Sequence, residues 1–302
     1  QKQLKMLRRV VSILVGLVVM AACKTPRISS LPEDFDWQGH RGARGLLPEN
    51  TVAAMLKALE YPVKTLELDV AITKDKQIVL SHEPWMSATI CSKADQSEVQ
   101  EAEAKTLKIY EMTLEEMQAF DCGRRGNKAF RKQVAQEAYK PTLSEVVKAA
   151  EARATSTPIY YNIEIKSQPA WDNIYTPEPV VFADLLLQEI DKLGIAERTC
   201  VQSFDPRALR AVQQQAPSIT KALLVRNPRS VAHNLDTLGF TPDVYSPYHL
   251  LLSDLVVQEI HDRGMLAIPW TVNSIKRMRT LIRMGVDGII TDYPDRIRKV
   301  VK

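Results

Sequence analysis

Residues 65–82 read TLELDVAITKDKQIVLSH, and the way this stretch pairs with itself decides the fold. Successive side chains of a strand point to opposite faces. In Thr65–Val70, Leu66, Leu68 and Val70 therefore share one face, and Glu67 and Asp69 share the other. The polar turn TKDKQ at 73–77 is too short for a parallel crossover, which takes about a dozen residues or more. The run 77–82 must fold back antiparallel on 65–71, which returns His82 to the top of that strand.

Outward from this hairpin, short β-rich runs alternate with amphipathic helical runs. Strands are expected at 36–41, 65–71, 77–82, 159–166, 199–204, 220–225, 243–247, 266–271 and 288–292. Helices are expected at 49–60, 142–153, 178–193, 206–215, 229–238, 253–263 and 274–284. Such alternation indicates βαβ units and a parallel sheet. Nine strands exceed the barrel number by one, and removing the hairpin arm leaves eight, so the expected fold is an α/β (β/α)₈ TIM barrel. Residues 83–141 break the alternation with polar sequence, one short helix near 113–120 and the loop DCGRRGN at 121–127. They are expected to form an insertion over one mouth of the barrel, too poor in apolar residues for a core of its own.

The chain has 302 residues and a formal charge of +4, but that charge is local. Lys2, Lys5, Arg8 and Arg9 carry the whole excess and leave 36 basic and 36 acidic residues in the remainder. Nothing there makes the concentrated basic face that nucleic-acid binding needs. The basic start and the mostly apolar run Val10–Ala22 form a signal-peptide pattern over 1–22, too short to span a bilayer. Met20-Ala21-Ala22-Cys23 resembles a bacterial lipobox, so an exported, membrane-anchored lipoprotein acylated at Cys23 is expected, on a Pro/Ser-rich tether over 23–35. Cys200 sits in an apolar strand pattern as a core thiol. Cys91 and Cys122 flank the insertion, and an oxidising compartment allows either a disulfide or two free thiols.

The alternation of 65–70 recurs in Asn162–Lys166, with Ile163 and Ile165 on one face and Glu164 and Lys166 on the other. The apolar faces belong under the helices, so the charged faces point into the barrel. Three carboxylates in one cavity are prohibitive unless cations neutralise them, and one lysine is insufficient. A hard divalent cation with oxygen ligands, Ca²⁺ or Mg²⁺, satisfies them. Acids at strand ends can also pair with surface bases, but the same pattern on two strands favours the metal. His40 and Arg41 end the first strand, where barrels place functional residues. With His82 they set two imidazoles beside the metal, able to share acid and base duties. His233, His249 and His261 read as structural or solvent-facing. Turn chemistry accounts for Asp287 and Asp292, although Asp292 is near enough in sequence to the last strand's end to touch the site.

The segments HRGARGLLPENT at 40–51, LELDVAITKDKQIVLSHEP at 66–84, YNIEIKS at 161–167, VQSFDP at 201–206, PWTVN at 269–273 and GVDGIITDYP at 285–294 together resemble the glycerophosphodiester phosphodiesterase family. The resemblance spans roughly 36–296 in the family's order and leaves only the leader and the insertion outside it. It implies metal-dependent hydrolysis of glycerophosphodiesters to glycerol 3-phosphate and an alcohol. Glu67, Asp69 and Glu164 would be the metal ligands, and His40 and His82 the acid and base. Arg41 and Lys166 would hold phosphate oxygens, with Asn50, Gln202 and Trp270 completing the substrate site. Trp270 reads equally as a core aromatic, and Trp85 and Met86 as an apolar wall for the leaving group or as packing of the hairpin. Cleavage of intact phospholipids, or phosphodiester binding without catalysis, are the competing readings.

Overall fold

The computed structural model describes residues 31, 34–153 and 157–300. The leader, Cys23 and most of the tether lie outside these residues. Eight parallel strands make the barrel: β1 (Asp36–Gly39), β2 (Thr65–Ile72), β4 (Tyr160–Ile165), β5 (Thr199–Ser203), β6 (Thr220–Val225), β7 (Val244–Pro247), β8 (Leu266–Ala267) and β9 (Gly288–Thr291). Their order is β8-β7-β6-β5-β4-β2-β1-β9, and β3 (Ile78–Leu80) stands off this path, antiparallel to β2 as the short turn requires. Between β8 and β9 the Asp287 and Ile290 amides donate to the Ala267 and Pro269 carbonyls at 3.0 Å each, which nearly closes the barrel. The strand expected over 266–271 shortens to two residues because Pro269 has no N–H to give the ladder.

The barrel helices are α1 (Val52–Ala58), α4 (Leu143–Glu151), α5 (Pro179–Lys192), α6 (Pro206–Gln215), α7 (Val231–Leu238), α8 (Asp254–Asp262) and α9 (Ile275–Arg283), with α10 (Ile297–Val300) at the end. They begin where polar side chains cap free amides: Thr51, Thr142, Asp205, Ser230, Ser253 and Ser274 each accept from an amide of the first turn. Leu66, Leu68, Val70, Ile163 and Ile165 are buried in the main core with Phe182 and Leu186 of α5 and Leu143 and Val146 of α4. The apolar faces of β2 and β4 thus lie under the helices, and their acids are left inside the barrel.

The insertion corrects the expectation. It holds α2 (Glu101–Ala104) and α3 (Leu114–Gln118), and it does have a core. Met86, Ile90, Val99, Ile109 and Met117 are buried together with the Cys91–Cys122 disulfide against Ala71 and Val79 of the hairpin. The apolar content looked insufficient because the hairpin's second face supplies part of this core. In a chain-entropy view the bond closing this loop contributes about 3–4 kcal/mol. The insertion also lies beside the mouth and grips the β1–α1 loop. The Gln133 Nε2 donates to the Arg44 and Leu47 carbonyls at 2.7 and 3.2 Å, and the Val134 amide donates to Leu46 at 2.8 Å. Among the described residues no helix is long and apolar enough to cross a membrane.

Candidate active site

Register brings the acids together. Asp69 pairs with Glu164 between β2 and β4, Glu164 pairs with Gln202 between β4 and β5, and Glu67 lies two residues below Asp69 on the same face. One oxygen from each of Glu67, Asp69 and Glu164 lies within 4.8 Å of the other two, and all three residues are buried. Glu67 and Glu164 line a cleft of about 230 Å³ at the C-terminal ends of the strands, together with His40, Arg41, His82, Lys166 and Gln202, and Asp69 lies just behind this lining. The apolar part of its lining is Phe204, Leu224, Trp270 and Ile290.

Each carboxylate is aimed by neighbours. Glu67 accepts from the Arg41 amide at 2.8 Å and from the Gln202 Nε2 at 2.7 Å. Asp69 accepts from the Asn50 Nδ2 at 2.9 Å and pairs with the Arg41 Nε at 3.1 Å. Its other oxygen, Oδ1, is buried without a hydrogen-bond partner and stands 3.7 Å from the Lys166 ammonium, which is 2.9 Å from Glu164. Burial and the neighbouring acids push Glu67 well above the usual carboxylate range and Glu164 to about 7, whereas burial works against Asp69 but Arg41 and Lys166 hold it well below. A buried acidic site with an unpaired oxygen and two acids reluctant to ionise fits a divalent cation.

The β1–α1 loop, HRGARGLLPEN, turns sharply to present its side chains. Arg41 and Asn50 adopt left-handed φ values of 49° and 53°, and Gly42 one of 80°. A Cβ at Gly42 would come within 2.5 Å of the Ala54 carbonyl carbon, so only glycine fits there. Arg41, strained in this conformation, is held by Glu49 at 2.5 Å in addition to its contacts with Glu67 and Asp69. Arg44 also pairs with Glu49, at 2.8 Å.

The two imidazoles are alike in construction. The His40 Nδ1 lies 2.6 Å from Asp292 Oδ1, with its Nε2 3.9 Å from Glu67; the His82 Nδ1 lies 2.7 Å from Glu83 Oε1. Burial lowers the His40 pKa although Asp292 opposes it. Asp292 and Glu83 are each depressed to about 2 despite burial, chiefly by their histidines, and stay anionic. Reading Asp292 as turn chemistry is therefore corrected: it fixes His40 and is itself held by Asn273 at 2.7 Å. The sequence signal lay inside the quoted segments, as TDYP at the end of the last strand and as the acid adjoining His82, but nothing in TDYP marks Asp292 as the partner of a histidine 252 residues away.

The other expected residues divide. Gln202 both lines the cleft and orients Glu67, whereas the Asn50 amide is engaged with Asp69 beneath it. Trp270 is half-buried in the cleft wall, its Nε1 donating to the Ser246 carbonyl at 2.9 Å and its ring packed on Phe204 and Tyr248. It serves as wall and as partial core at once. Met86 is core of the insertion, and Trp85 packs on Trp171 and Tyr175 outside the cleft. His261 pairs with Asp287 at 2.9 Å, His233 contacts Arg229 and His249 contacts Arg277, all away from the site.

A (β/α)₈ barrel with an acidic triad between two carboxylate-paired histidines is the architecture of a hydrolase acting at the strand C-termini. The glycerophosphoryl diester phosphodiesterase family matches residues 40–296, and the chain belongs to that family. A Bacillus subtilis protein provisionally named a glycerophosphodiester phosphodiesterase is 31% identical over 262 residues, covering 86% of this chain and 95% of its own length. The glycerophosphodiester phosphodiesterase of Caldanaerobacter subterraneus is 29% identical over 267 residues, covering 87% and 96%. A crystal structure from Silicibacter pomeroyi, provisionally assigned the same activity, superposes with a TM-score of 0.79 at 28% identity, covering 88% of this chain and 93% of that one. An Oleispira antarctica phosphodiesterase solved with the product sn-glycerol-3-phosphate shares the fold, with a TM-score of 0.70 at 21% identity over 90% and 97%.

Proposed function

We propose that the chain hydrolyses glycerophosphodiesters to glycerol 3-phosphate and an alcohol with the help of Ca²⁺ or Mg²⁺ held by Glu67, Asp69 and Glu164. The observation that carries this reading is the convergence of those three buried acids, one oxygen of Asp69 without a hydrogen bond, at a cleft lined by His40, His82 and the cations Arg41, Arg44, Lys166 and Arg226. A divalent cation bound there would act as a Lewis acid toward a phosphoryl oxygen. Arg41 and Lys166, in the same cleft, bind the remaining phosphate oxygens and counter the charge that builds on them. Asp292 fixes the His40 Nδ1 as donor, which leaves its Nε2 facing the cleft as a neutral base. His82, held through its Nδ1 by the anionic Glu83, delivers a proton to the departing alkoxide. The family names of the relatives support the substrate class.

Export and a lipid anchor at Cys23 belong to the same proposal. The Cys91–Cys122 disulfide supports an oxidising compartment.

The test is release of glycerol 3-phosphate from glycerophosphocholine and glycerophosphoethanolamine with Ca²⁺, with Mg²⁺ and with a chelator, by the wild type and by His82→Ala. Metal-dependent release is expected. The variant should still bind metal and lose about 10²–10⁴-fold in turnover. No release by folded, metal-supplemented protein would sink the substrate assignment, and a fully active variant would remove His82 from the chemistry.

A further inference from the structure

Most cations around the cleft already face an acid. Arg41 and Arg44 share Glu49 at 2.5 and 2.8 Å, and Lys166 has Glu164 at 2.9 Å. Arg226 differs. It follows the last residue of β6, lines the cleft and is exposed, and among the described residues no acidic side chain comes within 4.0 Å of it. Its guanidinium sits 5.7 Å over the Tyr248 ring, an arrangement that steadies the head group without neutralising it. In the strand order β6 lies four places from β1, so Arg226 stands across the mouth from the loop that carries His40 and Arg41. Phe204 and Trp270, edge to face at 5.3 Å, form the apolar wall of the same cleft.

A diester whose phosphate rests at the three acids must direct one of its two ends toward this wall. The glycerol end is uncharged in every member of the substrate class, so only the alcohol end can bring a charge that varies. We infer that Arg226 is a specificity-determining residue for an anionic group on the leaving alcohol, a carboxylate or a phosphomonoester, and that the enzyme prefers such diesters to their uncharged or cationic counterparts. This rests on the hydrolytic reading above.

Glycerophosphoserine and glycerophosphoethanolamine differ only by a carboxylate and form one test pair. Glycerophosphoglycerol with and without a terminal phosphate forms the other. The wild type should favour the anionic member of at least one pair by roughly five- to tenfold in kcat/KM, in line with one partly screened, charge-assisted contact. The responding pair identifies the anion. In Arg226→Gln that ratio should fall toward one, and Arg226→Lys should restore part of it. Ratios near one in the wild type, or an equal fall for both members in Arg226→Gln, would overturn the inference, the latter placing Arg226 on the shared glycerophosphoryl half. Calorimetric binding of the same ligands separates the two levels of the argument. A binding preference without turnover of any diester removes the hydrolytic reading and keeps the anion site.

Discussion

The half of the barrel made by β1, β2, β4 and β5 and the half made by β6, β7 and β8 fill the same interior with opposite chemistry. The first turns Gln38, Glu67, Asp69, Asn162, Glu164 and Gln202 inward, and all are buried. The second presents Ala222, Leu224 and Val244, with Ile268 just beyond β8, and its buried Ser246 hydroxyl is spent on the Ile268 carbonyl. A packed wall needs only shape, but a polar interior needs a partner for every group. Here an amide chain supplies several of them: Asn162 donates to Gln38 at 2.8 Å and to Gln202 at 3.0 Å, and Gln202 donates to Glu67 at 2.7 Å. The chain reaches one oxygen of Glu67, the Arg41 amide holds the other, and the Asp69 Oδ1 is left without a hydrogen bond. On the proposed function, preorganisation on one side and permissive packing on the other would let the reacting phosphate be held tightly while the alcohol varies.

The comparison breaks first at Glu164. In Glu164→Gln we expect at least about a thousandfold loss of kcat, and metal affinity measured by titration calorimetry should fall with it. Metal binding as tight as in the wild type would mean the polar half is not a metal site. The second test is pH. Glu164 is raised to about 7, so the folded, metal-free protein holds a proton that the unfolded chain releases near its ordinary value of about 4.3. The native state then binds more protons across this window, and stability must fall as pH rises from about 4.5 to 7, by up to about 3 kcal/mol from this group. His40, lowered by burial, gives the opposite slope just below its ordinary value, so the metal-saturated protein is the reference. Melting temperatures in chelator that do not fall relative to metal-saturated samples between pH 5 and 7 would contradict the arrangement. The smallest effect belongs to the apolar half. Phe204 is 41% exposed, and Phe204→Ala should raise KM a few-fold and shift stability by less than about 0.5 kcal/mol. A large loss of kcat there would make the wall part of the catalytic machinery.

Local chemistry explains which features were legible in the chain. The period-two patterns of 65–70 and 162–166 announce both the strands and the inward acids, because side-chain direction is a property of the strand itself. The short turn at 73–77 announces the antiparallel arm, since no crossover fits it. The segments carrying His40, His82 and Gln202 are likewise contiguous. The insertion's core was not legible, because it closes against the far face of the β2–β3 hairpin, through Ala71 and Val79. Nor was the split between Asn50, spent on Asp69, and Gln202, which reaches the cleft.

Strand number, the single reversed arm and the identity of the three acids were thus determined by the sequence alone, through alternation and turn length acting over a few residues. Only the tertiary structure decided that Asp292 holds His40, that one oxygen of Asp69 lacks a hydrogen bond, that Cys91 joins Cys122 and that Arg226 faces the cleft with no acid beside it among the described residues. Those facts depend on registers and side-chain distances between segments remote in the chain, and no local pattern encodes a distance.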